Sequence, residues 1–320
     1  MNSSPSTNQL KNNKIKQAKA LDTASVLSLD VQNHQPVHGE LILRRLRVLL
    51  IDGRVTPGGT SWQGSLGKAA SRGKNVDLVV FRENTEDLYA GVEFHPVPER
   101  LSEVLGELSR PFSAFRDRKP DEYAISCKIN TQQGSERIVR AAFAFAREHK
   151  RSKVTVVHKA NVVRATDGMF LEAARRVASE YPEITMDDAN VDAICMWLLK
   201  NPHNYDVLVA PNLYGDIISD LCAQMVGGLG FGCSGNIGEK LAVFEPTHGS
   251  APKYAGQHKV NPIATILAVK MMLDWLGEST MAATLEQATA EVIREGKVRT
   301  YDMGGSASTL DVAHAIAARL

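Results

Sequence analysis

The sequence predicts an α/β protein built on a largely parallel sheet. Short runs rich in β-branched residues recur at Val76–Phe81 (VDLVVF), Val154–His158 (VTVVH) and Tyr205–Ala210 (YDVLVA). Each run leads into a polar turn, and helix-forming stretches follow at Ser135–Glu148, Thr166–Ser179, Ala189–Leu199, Asp216–Val226 and Pro262–Leu276. Strands alternating with helices of this length belong to α/β units, whose ligands bind beyond the carboxyl ends of the strands.

The chain begins differently. Residues 1–20 carry Lys11, Lys14, Lys16 and Lys19 and no acid, in a Ser/Asn/Gln-rich context that cannot bury a face, so residues 1–40 are expected to be a disordered basic tail. A mitochondrial transit peptide would favour Arg over Lys at such positions. The excess is local: residues 1–50 sum to +4 and the remainder to −3, within a total of Lys+Arg 37 against Asp+Glu 36. That balance argues against a nucleic-acid binder. Leu41–Ile51 (LILRRLRVLLI) reads as strand or short helix, because periodicity does not separate the two. Residues 95–122, Pro-flanked and charge-rich, read as an excursion from the sheet. No apolar run approaches the ~20 residues of a membrane helix, so no membrane partner is expected. Cys127, Cys195, Cys222 and Cys233 lack zinc-like spacing and fit a reducing compartment.

Several residues carry possible chemistry. Asp216 and Asp220 in NLYGDIISD lie four apart, on one face of a helix expected to begin near Gly215. Two such carboxylates repel unless a cation joins them, although acids also suit a first helical turn. Asp192, itself four after Asp188, adds a third hard oxygen donor, enough for Mg²⁺ or Mn²⁺. Lys159 follows an apolar strand, where a desolvated amine is a usable base, and Thr166 or Asp167 would cap the next helix. Arg82 ends a strand and could grip a carboxylate, and Tyr89 could donate a proton; an ordinary salt bridge and a packed phenol are the alternatives. Gly230–Gly235 (GFGCSG) matches the dinucleotide G-x-G-x-x-G but follows a helix and lacks the later acid, so it reads as a connecting loop. His248, Gly249, Ser250, Lys253, Tyr254 and Asn261 offer close backbone approach, rings and a positive charge, although by composition alone the stretch is only a loop.

Taken together, RENTEDLYAG (82–91), HKAN (158–161), NLYGDIISD (212–220), GNIG (235–238), HGSAPKYAGQ (248–257) and TYDMGGSAST (300–309) resemble the β-decarboxylating dehydrogenases, the isocitrate, homoisocitrate and 3-isopropylmalate enzymes. The resemblance covers roughly residues 76–320 in the family's order. It implies two α/β domains around a cleft with a clasp, not a Rossmann fold. Residues 41–75 would be a shortened remnant of the large domain, 76–86 and 132–227 the small domain, 87–131 the clasp, and 228–320 the carboxyl part of the large domain.

The implied reaction is oxidative decarboxylation of a hydroxy tricarboxylate in a homodimer with shared sites. Arg82 would bind substrate, Tyr89 and Lys159 would be catalytic, and Asp192, Asp216 and Asp220 would hold Mg²⁺ or Mn²⁺. Lys159 and Asp192 would come from the second subunit. Asn161, His248, Gly249, Ser250, Ala251, Lys253, Tyr254, Val260, Asn261 and Tyr301 would contact the nicotinamide cofactor. Glu86, Asp87 and Ala90 look like the isocitrate branch, with homoisocitrate or 3-isopropylmalate as alternatives. Lys253, Tyr254 and Tyr301 resemble an NADP set, although Gly305 stands where its Arg belongs, so NAD is the alternative. A cytoplasmic location is expected, with the mitochondrial matrix second.

The family's opening GDGIGPE-like turn has no counterpart. Thr56–Gly59 (TPGG) with Ser65 and Leu66 resembles a shortened substrate loop, leaving Arg54, Arg72 and Lys74 as the nearby cations. A non-catalytic or regulatory relative is therefore the competing expectation.

Overall fold

The computed structural model describes residues 49–52, 77–115, 117–225, 227–238 and 241–320. The expected basic tail, the TPGG segment and Arg54, Arg72 and Lys74 lie outside the described residues. Residues 49–52 and 77–225 belong to one compact unit and residues 227–320 to another.

In the first unit the strands are β1 (Leu49–Asp52), β2 (Val79–Arg82), β5 (Lys153–His158), β6 (Thr185–Asn190) and β7 (Val207–Ala210), ordered β6-β5-β7-β2-β1. β2, β5, β6 and β7 run parallel, and β1 pairs antiparallel with β2. Alternate residues face opposite layers. Val79, Phe81, Val154, Val156, Val207 and Val209 pack with Ile138 and Phe143 of α2 (Gln132–Glu148) and with Phe170 of α3 (Thr166–Ala178). Leu78, Val80, Val157, Leu208 and Ala210 pack with Ile194 and Leu198 of α4 (Val191–Lys200) and Ile218 of α5 (Asn212–Met225). Helices thus cover both faces, which is why the strands read as continuous apolar runs. The expected α/β class with a parallel sheet is what the chain forms. The excursion carries α1 (Glu99–Leu108) and is flanked by a small antiparallel pair, β3 (Glu93–Phe94) with β4 (Ile125–Ser126).

The second unit contains the antiparallel pair β8 (Cys233–Ile237) and β9 (Ala242–Pro246), then α6 (Ile263–Leu276), α7 (Ser279–Glu295) and α8 (Thr309–Ala317). Ile263, Val292, Met303, Val312 and Ile316 form its core. Lys270 bridges Asp274 and Glu286 at 3.0 and 3.1 Å, joining α6 to α7. Among the described residues no helix is long and apolar enough to cross a membrane.

Three expectations change. The Gly-rich run is not wholly a connecting loop, since Cys233–Ile237 is a strand. The stretch from Ala189 is strand through Asn190 before α4 starts, and α5 begins at Asn212, ahead of Gly215. Asp216 therefore sits in the second turn, where the helix dipole explains little of its presence.

Phe143 is fully buried, its ring 5.4 Å from Tyr181. Phe143→Ala should lower the unfolding free energy by about 3–5 kcal/mol through the cavity it leaves, read from the midpoint of a urea titration.

Candidate active site

The carboxyl end of β2 places Arg82 beside the start of α5. Arg82 Nε donates to Asn212 Oδ1 at 2.8 Å, its Nη1 pairs with Asp216, and its guanidinium carbon lies 4.9 Å from the Tyr89 ring centroid. Tyr89 in turn donates its hydroxyl to Asp216 Oδ2 at 2.8 Å. Asn212, 1% exposed, uses its other amide end to donate to the Glu86 carbonyl at 3.0 Å, so its acceptor is aimed at Arg82 by the chain itself. Gly215 makes room: a Cβ there would stand 2.5 Å from Arg82 Cγ and 2.7 Å from its Cβ. Sequence reasoning singled out Arg82, Tyr89 and Asp216 but missed Asn212, which the NLYGD motif contains in plain view.

Electrostatics distinguish the two acids of α5. Asp216 is ion-paired with Arg82. Asp220, one turn on, has its carboxyl pushed up by partial burial and then by the neighbouring Asp216. Burial raises the Tyr89 phenol as well, and its hydrogen bond to Asp216 raises it further.

A second group forms at the end of β5. Lys159 pairs with Asp192 in the first turn of α4, and this pairing holds the Asp192 carboxyl below the usual range. The Lys159 side chain is 24% exposed and ion-paired with Asp192. Asp167 does not cap α3, nor does Thr166; it is fully buried and its Oδ2 accepts from the Lys159 backbone N–H at 2.7 Å. Next door, His158 Nδ1 accepts from the Ala160 N–H at 3.0 Å. Its proton is therefore on Nε2, which donates to Asp188 Oδ2 at 2.9 Å. Asp188 serves this histidine. Asn161 is exposed in the turn beyond Lys159.

Among the described residues no three His, Cys, Asp or Glu side chains gather closely enough to hold a metal. Asp216 and Asp220 share a helix, whereas Asp192 is engaged with Lys159, so one copy of the chain does not assemble the expected donor trio. Glu86 and Asp87, read as substrate-branch markers, are committed internally. Glu86 accepts from the Thr131 N–H at 2.7 Å beside the start of α2, and Asp87 is fully buried.

The expected cofactor residues lie in the second unit, apart from Asn161. Lys253 and Lys259 stand 4.9 and 5.3 Å from the Tyr254 ring, and Lys259 is 5.1 Å from the Tyr301 ring, with the two rings 5.8 Å apart. Lys259 is a further cation that motif reading passed over. Hydrogen bonding to Lys253 is the largest effect holding the Tyr254 phenol below its usual range. His248 Nδ1 lies 2.9 Å from the Gly249 carbonyl oxygen, Gly249 has open space beside its Cα, and Ser250 precedes Ala251, which adopts a left-handed conformation (φ 45°). The Val260 carbonyl accepts from Thr309. Asn261 is buried and spends its side chain on Asp302 and the Ile263 N–H, both at 3.0 Å. Gly230 allows this packing, since its Cβ would lie 2.8 Å from Asp302 Oδ2. At Gly305 a side chain would collide with the Arg299 carbonyl, with the two Cβ atoms only 2.5 Å apart.

A family model described as isocitrate/isopropylmalate dehydrogenase matches residues 13–316. The chain is 42% identical over 246 residues to a probable NAD isocitrate dehydrogenase subunit alpha, mitochondrial, of Drosophila melanogaster, covering 77% of this chain and 59% of that protein. It is also 42% identical over 245 residues to the 3-isopropylmalate dehydrogenase of Archaeoglobus fulgidus, covering 77% of this chain and 68% of that one. Among solved structures, isocitrate dehydrogenase from Methylococcus capsulatus matches with TM-score 0.75 and 38% identity, over 92% of this chain and 79% of that one. The chain thus spans less than two thirds of the Drosophila relative's length.

Asp216→Asn removes two influences that raise the Tyr89 phenol and leaves the lowering effect of Arg82. Tyr89 should then ionise at lower pH than in the unaltered protein, read by ultraviolet difference titration against a Tyr89→Phe control.

Proposed function

Because the chain belongs to the isocitrate/isopropylmalate dehydrogenase family, we propose that it catalyses oxidative decarboxylation of isocitrate to 2-oxoglutarate and CO₂, passing hydride to NADP. The observation that carries this reading is the cluster in which Arg82, Asn212, Tyr89 and Asp216 converge at a strand's carboxyl end.

The acids of α5 fit a divalent cation. They supply hard oxygens on successive turns of one helix, the kind of donor that Mg²⁺ or Mn²⁺ prefers. When bound by Asp216 and Asp220, with Asp192 from a second copy, the ion supplies Lewis acidity toward the substrate's oxygens.

The chain's own residues do the remainder. Arg82, anchored by Asn212, turns its fork from Asp216 to a substrate carboxylate. Lys159, freed from Asp192 and having released its own proton to solvent, takes the hydroxyl proton as a neutral amine while hydride leaves the same carbon for the nicotinamide. The bond to the departing carboxylate then breaks, leaving its electron pair on the substrate as an enolate, and Tyr89 gives its proton to the α-carbon. Asn161, on the turn after Lys159, is positioned by sequence to meet the nicotinamide amide.

Lys253, Lys259, Tyr254 and Tyr301 present two cations and two phenols to an anionic cofactor, which supports NADP through its 2′-phosphate. NAD is the second reading, favoured by the crowding at Gly305 and by the name of the Drosophila relative. Isocitrate is preferred on the NTEDLYAG segment, with homoisocitrate and 3-isopropylmalate behind it. Packed together, α4 and α5 leave Met196, Leu199 and Ile217 about half exposed, an apolar face that supports a homodimer. The words "subunit alpha" and "mitochondrial" in that relative's name favour a heteromer and the matrix as alternatives to a homodimer in the cytoplasm.

Purified protein with Mg²⁺ or Mn²⁺ should turn over isocitrate faster than 3-isopropylmalate, and a folded dimer without turnover would leave the regulatory reading. Lys253→Asp should shift the NADP to NAD preference by about tenfold or more toward NAD; an unchanged ratio removes Lys253 from cofactor choice. Calorimetry with Mn²⁺ should register binding that Asp216→Asn abolishes, whether or not the chain is catalytic.

A further inference from the structure

Behind both groups of candidate residues lies a buried ionic cluster. Lys128 Nζ stands 3.1 Å from Asp87 Oδ2 and 3.0 Å from Asp167 Oδ1, and both carboxylates are fully buried. The ammonium also lies 4.4 Å from the Tyr214 ring centroid. The remaining carboxylate capacity goes to main chain at three strategic places. Asp87 Oδ1 accepts from the Leu88 N–H at 2.7 Å, opening the short 3-10 helix Leu88–Ala90 that carries Tyr89. Asp87 Oδ2 accepts from the Leu213 N–H at 3.2 Å, in the first turn of α5, which carries Asp216. Asp167 Oδ2 holds the Lys159 N–H at 2.7 Å. Asp87 keeps a positive φ of 72°, a conformation that costs energy for a residue with a side chain and persists only where its surroundings impose it.

We propose that Lys128 is a positioning residue that holds the Tyr89–Asp216 group and the Lys159 turn in one register. The proposal rests on the function proposed above, in which both groups serve one reaction. Without the ammonium, two buried carboxylates face each other with no counter-charge. Asp87 and Asp167 must then separate or become neutral, and a displaced Asp167 takes the Lys159 backbone with it. Where a dimer draws Tyr89 and Asp216 from one copy and Lys159 from the other, the two groups on a single chain belong to different active sites. Lys128 then ties those sites together mechanically.

The test compares the full chain with Lys128→Met, Lys128→Arg and the double variant Lys128→Met/Asp167→Asn. Two readouts are used: steady-state kinetics with isocitrate and Mn²⁺, and site-resolved acylation of lysines by an amine-reactive acetylating reagent. For Lys128→Met the expected results are a fall in kcat of about tenfold or more, a KM changed by less than about threefold because the β2–β7 ladder fixes Arg82 independently of the cluster, and Lys159 acylation faster by about threefold or more. Lys153, at the other end of the same strand, should be unchanged. Lys128→Arg keeps a cation and should recover most of kcat. The double variant restores the cluster's net charge without the bridge, so its melting temperature should recover while kcat stays low. An unchanged Lys159 acylation rate in Lys128→Met, or recovery of kcat together with melting temperature in the double variant, overturns the proposal. If Lys128→Met does not fold, Lys128→Arg and the double variant decide it. If the unaltered chain turns over none of the substrates, the functional reading fails, and the acylation rates still judge Lys128.

Discussion

A parallel hydrogen-bond ladder sends the carboxyl ends of its strands to one edge, and in this chain that constraint assembles the chemistry. Arg82 closes β2 level with Ala210 of β7, and His158 closes β5 level with Asn190 of β6. Each strand hands on within one or two residues: Glu83 bonds back to Ala210, Lys159 follows His158, Asp192 lies two past Asn190 in the first turn of α4, and Asn212 opens α5 two past Ala210. No functional side chain needs to reach far, because the backbone has already delivered it. The apolar faces that bury Val79, Phe81, Val154 and Val209 have a second role, since their packing keeps that edge in register.

The polar edge is costly to build. Two carboxylates and an ammonium taken out of water lose solvation of several kcal/mol each. Here they regain it through three main-chain hydrogen bonds and a mutual ion pair, each serving a different segment. Hydrophobic replacements of the same volume often match the stability of a buried ion-pair cluster. They could not fasten three N–H groups at once.

Much of this was legible in the sequence. The strands β2, β5 and β7 announced themselves as β-branched runs because both faces are buried, and the turns after them carried recognisable polar motifs. β6 was not legible: TMDDAN is polar since it is an edge strand paired only with β5, so neither continuous apolarity nor alternation marks it. β8 was hidden by the glycines of its approach. Arg82, Tyr89 and Asp216 were found as residues, but their mutual pairing depends on contacts across more than 120 positions. Lys128 was invisible for the same reason; as a lone lysine in SCKIN it has no local signature, and only the fold brings Asp87 and Asp167 to it. Asp167 was misread as a cap because its place after Thr166 satisfies the local rule, while the real demand comes from a backbone N–H eight residues earlier.

The crowding at Gly305 bears on how easily this scaffold could change its cofactor. An arginine cannot simply be written in at that position, because the Arg299 carbonyl occupies the space its first carbon would need. The backbone from Arg299 to Gly305 is itself fixed by the Gly305 N–H bonding to Thr300 and the Ala307 N–H bonding to Arg299. A gain of a third cation would therefore require the loop to be rebuilt before the substitution became useful. Selection acting one residue at a time meets a barrier at this position.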